Sequence, residues 1–447
     1  MFTKRLRIPG HLLAATAALP VFVWWLGWYP GFASSDTIDQ FGQIQNGVFY
    51  NHHPAVHTFY LGVLSQGGVR PGAVTLFQLL VFGALLAYGA RWLIEAGVPK
   101  WLAIGAAWAL GLSPAIAPTT LALWKDVPFG LFVLWSWIEL LALAVDRERI
   151  SRMWPMVRLG VALGGIFLFR GNGPITVLPL LVVLFWLYRK RLRDPLVTLG
   201  TLVAVVVLII GPLYSAFDVE DNSIEPAQVF LPDVAASYSS DPETFTEPDV
   251  DLLEAVAPLS IWTGRYDCYD STALLFDPQF NQAPVRQTPA DYRGLEVDVL
   301  LRDFDSVLVH RVCAANFVYA PAQPEDAFFH RPPYDIPQNT VGLHRSPLSW
   351  KAFNLTEPIF AWAGADERLW FTWRPAIVVI PALAAVVMFA IRPRARRFLL
   401  PSALFGAHTL NVMATSPAQE FRYAYPLYLL AVLTLTLLWP TLRPGED

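Results

Sequence analysis

The sequence predicts an all-α polytopic membrane bundle of about ten transmembrane helices, carrying one inserted soluble domain of mixed structure. Three observations predict it. Hydrophobic residues make up 55% of the 447 and charged residues only 15%, where soluble chains carry about a quarter. The apolar residues fall into separate runs divided by short basic clusters. One long middle stretch, 217–371, has ordinary soluble composition instead.

A membrane-crossing helix needs about 20 mostly apolar residues. In order, such runs cover 12–28, 74–94, 101–117, 127–145, 156–169, 174–188 and 196–216. After the insert come 375–391, 398–414 and 425–439. The first run follows a basic start and so looks like a signal peptide. It holds Trp24, Trp25 and Trp28 and lacks a small-residue cleavage site, so it reads as an uncleaved span. Pro179, Pro212, Pro381 and Pro401 imply kinks. Three parts result: an N-terminal transmembrane module (1–216) with a first outer loop at 29–72, the insert (217–371), and C-terminal transmembrane helices (372–447).

Lysine and arginine bias in short loops sets orientation. Lys4, Arg5 and Arg7 precede the first run, and Arg147, Arg149 and Arg152 follow the fourth. Arg189, Lys190, Arg191 and Arg193 follow the sixth, and Arg392, Arg394, Arg396 and Arg397 the eighth. With a cytoplasmic N-terminus every cluster falls on the cytoplasmic side, and the C-terminus returns there. The loop 29–72, the turns 118–126 and 170–173, the insert and the segment 417–423 are then extracytoplasmic. The expected location is a bacterial plasma membrane.

A net charge of -4 excludes a nucleic-acid binder, which needs a strongly basic face. Cys268 and Cys313, both in the insert, suggest a disulfide worth about 2–4 kcal/mol, with two free thiols as the alternative. No internal repeat is visible, which disfavours an inverted-repeat transporter.

Polar residues concentrate at one membrane face. Asp36 follows the first span by a few residues, and burial there would raise its pKa towards proton abstraction. The competing reading is a cap for a helix starting at Thr37. His52, His53 and His57 fit no zinc spacing and suggest metal ligation, proton handling, phosphate contact or an ordinary interfacial loop. Pro54 extends the backbone at His53, so the two adjacent rings are expected to diverge and only one to face a substrate.

Lys125 and Asp126 stand at the outer end of the fourth span, as a phosphate contact and a metal ligand or its orienter, or as a snorkelling pair anchored by Trp124. Arg170-Gly171-Asn172-Gly173 joins two spans, with glycines that admit an anionic group and an arginine suited to phosphate oxygens. Gln419-Glu420-Phe421-Arg422-Tyr423 opens the last span with another arginine on the positive-poor face. Lys125, Arg170 and Arg422 together predict a cationic pocket for a lipid-linked phosphate. Glu139, His408 and Asn411 fall inside spans, where polar groups are costly.

The order of these elements resembles the GT-C superfamily of integral-membrane glycosyltransferases: Asp36 in the first loop, a His-Pro element, Lys125-Asp126, the Arg170 turn, and Arg422-Tyr423 followed by Pro426. Within it the pattern is similar to protein O-mannosyltransferases and aminoarabinose transferases, in a bacterial branch. The resemblance implies a GT-C-like fold and transfer of a sugar from a polyprenyl-phosphate donor to an extracytoplasmic glycan, lipid or protein. Asp36 matches the family's first-loop carboxylate, a base or metal ligand. Lys125, Arg170, Asn172, Arg422, Tyr423, His52 and His53 match its donor contacts. The chain departs from the family in lacking an acidic pair after the first span, since Thr37 follows Asp36 and the next acid is Asp39. A divalent cation on Asp36, Asp126 or His53 and a metal-independent reaction therefore stand equally. The expected outcome is inversion at the anomeric carbon. The alternatives are a transporter or flippase of a lipid-linked saccharide and a non-enzymatic envelope scaffold.

Overall fold

The computed structural model describes residues 9–146, 148, 152–221 and 225–443, and among them the chain is helical with no strand. Lys4, Arg5, Arg7, Arg147 and Arg149 lie outside these residues. The N-terminal half contains α1 (Gly10–Trp28), α2 (Ser35–Asn46), α3 (Ala55–Leu64), α4 (Pro71–Glu95), α5 (Lys100–Leu112) and α6 (Asp126–Val145). It continues with α7 (Met153–Phe169), α8 (Gly173–Leu187) and α9 (Arg193–Ala216). The insert's longer helices are α10 (Glu225–Ser240), α11 (Pro289–Arg302), α12 (Phe304–Ala314) and α13 (Trp350–Ala363). The chain closes with α14 (Asp366–Ile391), α15 (Leu399–Thr415) and α16 (Phe421–Leu442).

Six of these, α1, α4, α6, α9, α14 and α16, are long and apolar enough to cross a membrane, which makes this a multi-pass membrane protein. The central helix α6 is almost wholly enclosed, whereas α9 is nearly bare and turns its valines and leucines outward. Bare apolar helices are stable where the surroundings are themselves apolar. Glu139, a costly charge inside α6, is 1% exposed and satisfied by Arg158 at 3.0 Å and the Tyr88 hydroxyl at 3.0 Å.

Two expectations are corrected. The third apolar run is not one continuous helix: α5 ends at Leu112, because Ser113 takes extended backbone ahead of Pro114. The remainder forms a short helix, Ile116–Thr120, tucked against the first loop. The insert is helical rather than mixed. Four of its prolines sit in the first turns of helices (Pro242, Pro248, Pro284, Pro289), where a missing N–H costs nothing. Strand-like pairing is limited to isolated bridges.

Those bridges join the insert to the bundle. The Ser271 and His330 N–H groups donate to the Pro417 and Gln419 carbonyls, both at 2.8 Å. The Gln419 and Phe421 N–H groups donate to the Tyr269 and His330 carbonyls, both at 3.0 Å. Arg374, fully buried, donates to the Gln419 side chain at 3.1 Å, and Gln419 reaches the Cys313 carbonyl at 3.4 Å. Cys313 is disulfide-bonded to Cys268, as expected. The lead into α16 is thus held from both sides by insert backbone. The insert also has its own apolar core around Trp262, Leu253, Leu274 and Val299.

Candidate functional site

The ends of several helices and one wall of the insert enclose a cavity of about 900 Å³. Its floor and sides come from the start of α2, the 51–54 loop, the α7–α8 turn, the end of α9 and the start of α16. Phe167, Leu168, Ile175, Ile210, Phe230 and Phe276 make much of it apolar. The cavity therefore combines a greasy wall with a ring of charges.

Asp36 enters through α2. Ser34 is the N-cap of this helix, and the Thr37 hydroxyl turns back to accept the Ser34 N–H at 3.3 Å. Asp36 is therefore a first-turn residue, not the cap. Two backbone bonds pair Phe32 with Leu121 and Leu123 (3.0 and 2.8 Å), and the Thr37 hydroxyl donates to the Leu123 carbonyl at 3.0 Å. This brings Asp36 beside Lys125, which just precedes α6.

Basic and acidic groups follow one another around the site. Lys125 Nζ lies 3.3 Å from His53 Nδ1, and His53 Nε2 lies 3.7 Å from Asp36 Oδ1. The other Asp36 oxygen accepts from Arg422 at 2.8 Å, and Arg422 Nε meets Glu420 Oε2 at 2.7 Å. Burial pushes the Asp36 carboxyl up, but Arg422, His53 and Lys125 outweigh it and hold the group well below the ordinary aspartate range. The upward shift anticipated from burial alone is thus reversed. Asp36 stands ionised, side by side with a guanidinium.

Arg170 pairs with Asp126 at 2.8 Å, and its guanidinium lies 4.8 Å from the Tyr423 ring centre. The Arg422 guanidinium lies 5.3 Å from the same ring. Tyr423 is therefore shared between the two arginines, each a cation–π partner. Asn172 donates to the Thr415 hydroxyl at 2.7 Å. Beneath it, Asn411 donates to the Asn172 carbonyl at 3.0 Å and to the Thr176 hydroxyl at 2.8 Å, and Thr176 meets His408 at 3.1 Å. The polar residues of α15 thus brace the Arg170 turn. Gly173 serves helix approach rather than anion entry, since a Cβ there would stand 2.1 Å from the Ile166 carbonyl oxygen.

The cavity borders on Asp36, His52, His53, Lys125, Arg170, Asn172, Arg422 and Tyr423, every one of the sequence-predicted substrate contacts. Both His52 and His53 face it, their ring centres 4.7 Å apart, where divergence was expected. His57 is instead fully buried behind them, with Nδ1 2.8 Å from Gln40.

The predicted metal ligands do not assemble. Asp126 is committed to Arg170, Asp36 and His53 lie between Lys125 and Arg422, and no three His, Cys, Asp or Glu side chains converge among the described residues. This donor set, flanked by cations, does not fit a resident divalent ion.

Two cavity residues, Glu420 and His330, escaped sequence reasoning, as did Asp270, the partner of His330. Glu420 carried a usable signal, an acid two positions before a singled-out arginine. His330 and its partner Asp270 carried none, because they lie 60 residues apart inside the insert.

No protein-family model and no curated protein matches the chain. Among solved structures it is similar to the S. cerevisiae protein O-mannosyltransferase Pmt1-Pmt2 complex bound to the sugar donor, at 16% identity and TM-score 0.40. That alignment covers 52% of this chain and only 36% of the other. It is also similar to ArnT from Cupriavidus metallidurans bound to undecaprenyl phosphate, at 14% identity and TM-score 0.35, covering 94% and 76% of the two chains. The chemistry open to this chain is set by its own cavity.

Proposed function

We propose that the protein is a membrane glycosyltransferase that moves a sugar from a polyprenyl-phosphate donor to an acceptor hydroxyl in the extracytoplasmic space of a bacterial plasma membrane. One observation carries the reading: an ionised carboxylate and three basic side chains, Asp36 with Lys125, Arg170 and Arg422, border one cavity that also has a broad apolar wall. A phosphate needs the first feature, an isoprenoid chain the second.

The reaction balances within this site. The acceptor oxygen forms a bond to the anomeric carbon as the bond from that carbon to the phosphate oxygen breaks. The electron pair leaves with the phosphate, and the acceptor proton passes to Asp36. Attack opposite the leaving group inverts the anomeric centre. Arg170, Arg422 and Lys125 stabilise the departing phosphate by fixed charge. Paired to Arg422, Asp36 is a weak base. A donor phosphate that draws the guanidinium towards itself frees the carboxylate at the moment it is needed. The insert wall, with Phe230 and Phe276, contributes to choosing the acceptor.

The test is mass spectrometry of lipids that copurify with the protein, followed by incubation with a polyprenyl-phosphate sugar and assay of released polyprenyl phosphate. Release that needs Asp36 is the expected result. A wild-type protein that neither retains nor binds such a lipid would overturn the reading.

A further inference from the structure

The reading above leaves unused a buried acid beside Arg422 and a histidine–aspartate pair on the insert wall. His330 Nε2 lies 2.7 Å from Asp270 Oδ2. Asp270 is itself fixed, since its other oxygen accepts the Thr272 N–H at 3.0 Å and its backbone bridges to Ala418. The backbone bridge between His330 and Glu420 sets the two residues side by side on the cavity wall. Glu420 in turn holds Arg422, which holds Asp36. Five groups of alternating sign thus run from the insert into the first loop: Asp270, His330, Glu420, Arg422 and Asp36.

The protonation state of His330 sets the net charge of these five groups. With the imidazole protonated the five groups sum to one negative charge, and without its proton to two. A guanidinium already shared by two carboxylates has little left for an incoming anion unless one carboxylate is offset from elsewhere. We propose that His330 is a positioning residue for Arg422, acting through Glu420: its imidazolium offsets the Glu420 carboxylate and leaves Arg422 able to donate to a phosphate oxygen. The phosphate in this statement rests on the function proposed above, whereas the coupling of His330 to Glu420 does not.

The environment supports a protonated ring. Burial disfavours the charge, but the Asp270 hydrogen bond and the Glu420 and Asp270 charges raise the proton affinity above that of an ordinary histidine, with Arg422 opposing. The ring of Phe328 stands 4.7 Å away and brings no charge. Glu420 mirrors this: burial raises its pKa, Arg422 and His330 lower it, and Asp126 and Asp36 raise it. Each group stabilises the charged form of the other, and such coupling is reciprocal.

Two measurements on the full-length protein in detergent test this. The first follows the His330 resonance of histidine-labelled protein through a pH titration, assigned by its loss in His330→Gln. Glu420→Gln should move that titration to lower pH, with no lipid present. The second measures binding of a polyprenyl phosphate from pH 6 to 9. Wild-type affinity should fall as His330 loses its proton. His330→Gln should bind roughly fivefold more weakly at neutral pH, the scale of a partly exposed charge pair. His330→Arg should bind normally and lose the alkaline decline, and in a Glu420→Gln background His330→Gln should cost little. An unchanged His330 titration in Glu420→Gln, or equal losses in His330→Gln and His330→Arg, would overturn the proposal. Absence of lipid binding by the wild type at every pH would instead overturn the donor reading, and the titration arm would still decide the coupling.

Discussion

Asp36→Asn separates the two roles assigned to the first-loop carboxylate, because it should abolish transfer while strengthening donor binding. Asp36 and Glu420 both claim Arg422, at 2.8 and 2.7 Å. A donor phosphate must take a share of that guanidinium, which places it about 6 Å from the Asp36 carboxylate, where like charges repel by about 2.8 kcal/mol at an effective dielectric near 20. The Asp36 side chain is 30% exposed, so solvent screening reduces this to about 1 kcal/mol. Neutralising Asp36 at constant shape should therefore tighten polyprenyl-phosphate binding about fivefold, with release of the sugar lost. Calorimetric titration of detergent-solubilised wild type and variant with the same lipid phosphate reads the first effect, and a release assay the second. Weaker binding by Asp36→Asn would refute the shared-guanidinium geometry, and undiminished release would remove Asp36 from the chemistry.

Arg170→Ala leaves the Asp126 carboxylate, 1% exposed, without its partner, so thermal unfolding should register a loss of about 3–5 kcal/mol. Adding Asp126→Asn should recover most of that stability without restoring phosphate affinity. Replacing Cys268 and Cys313 by serine opens a cross-link of 45 residues' separation, which the chain-entropy account values at about 4 kcal/mol. The loss should appear in melts without reductant and vanish from the comparison when reductant is added. Burial first, then the Asp233 charge, raise Glu296 to about 7. The folded protein binds more protons than the unfolded chain between the ordinary glutamate range and that value, so wild-type stability should fall as pH rises through this window. Glu296→Gln should melt higher than wild type at pH 8 and no differently at pH 4, and a gain at both would refute the linkage.

The membrane architecture was legible in the sequence because a bilayer demands long apolar runs, and those runs are almost the whole signal. It was less legible where a run ended early: Ser113-Pro114 breaks the third one, and apolar composition does not reveal the break. The site residues were legible for a related reason, since polar groups at helix ends stand out against an apolar background. Lys125, Arg170 and Arg422 are conspicuous singly, and the cavity collects them. Their partners were not visible. The proton affinity of Asp36 depends on Arg422, 386 residues away, and no local pattern encodes a contact at that separation. The insert was the least readable part, because in a soluble stretch His330 and Asp270 are ordinary residues until the fold sets them side by side.

The clamp on the lead into α16 has a consequence for biosynthesis. The insert's gripping residues, 269–271 and 330, emerge from the ribosome well before the segment 417–421 that they grip. Until then the insert waits with unfilled backbone partners, and Arg422 has yet to be made. A nascent chain halted before α16 therefore carries the first-loop carboxylate without the Arg422 guanidinium, so the cavity is finished only when α16 is threaded. Pulse-labelled truncations should stay protease-sensitive in the insert until that helix is in place.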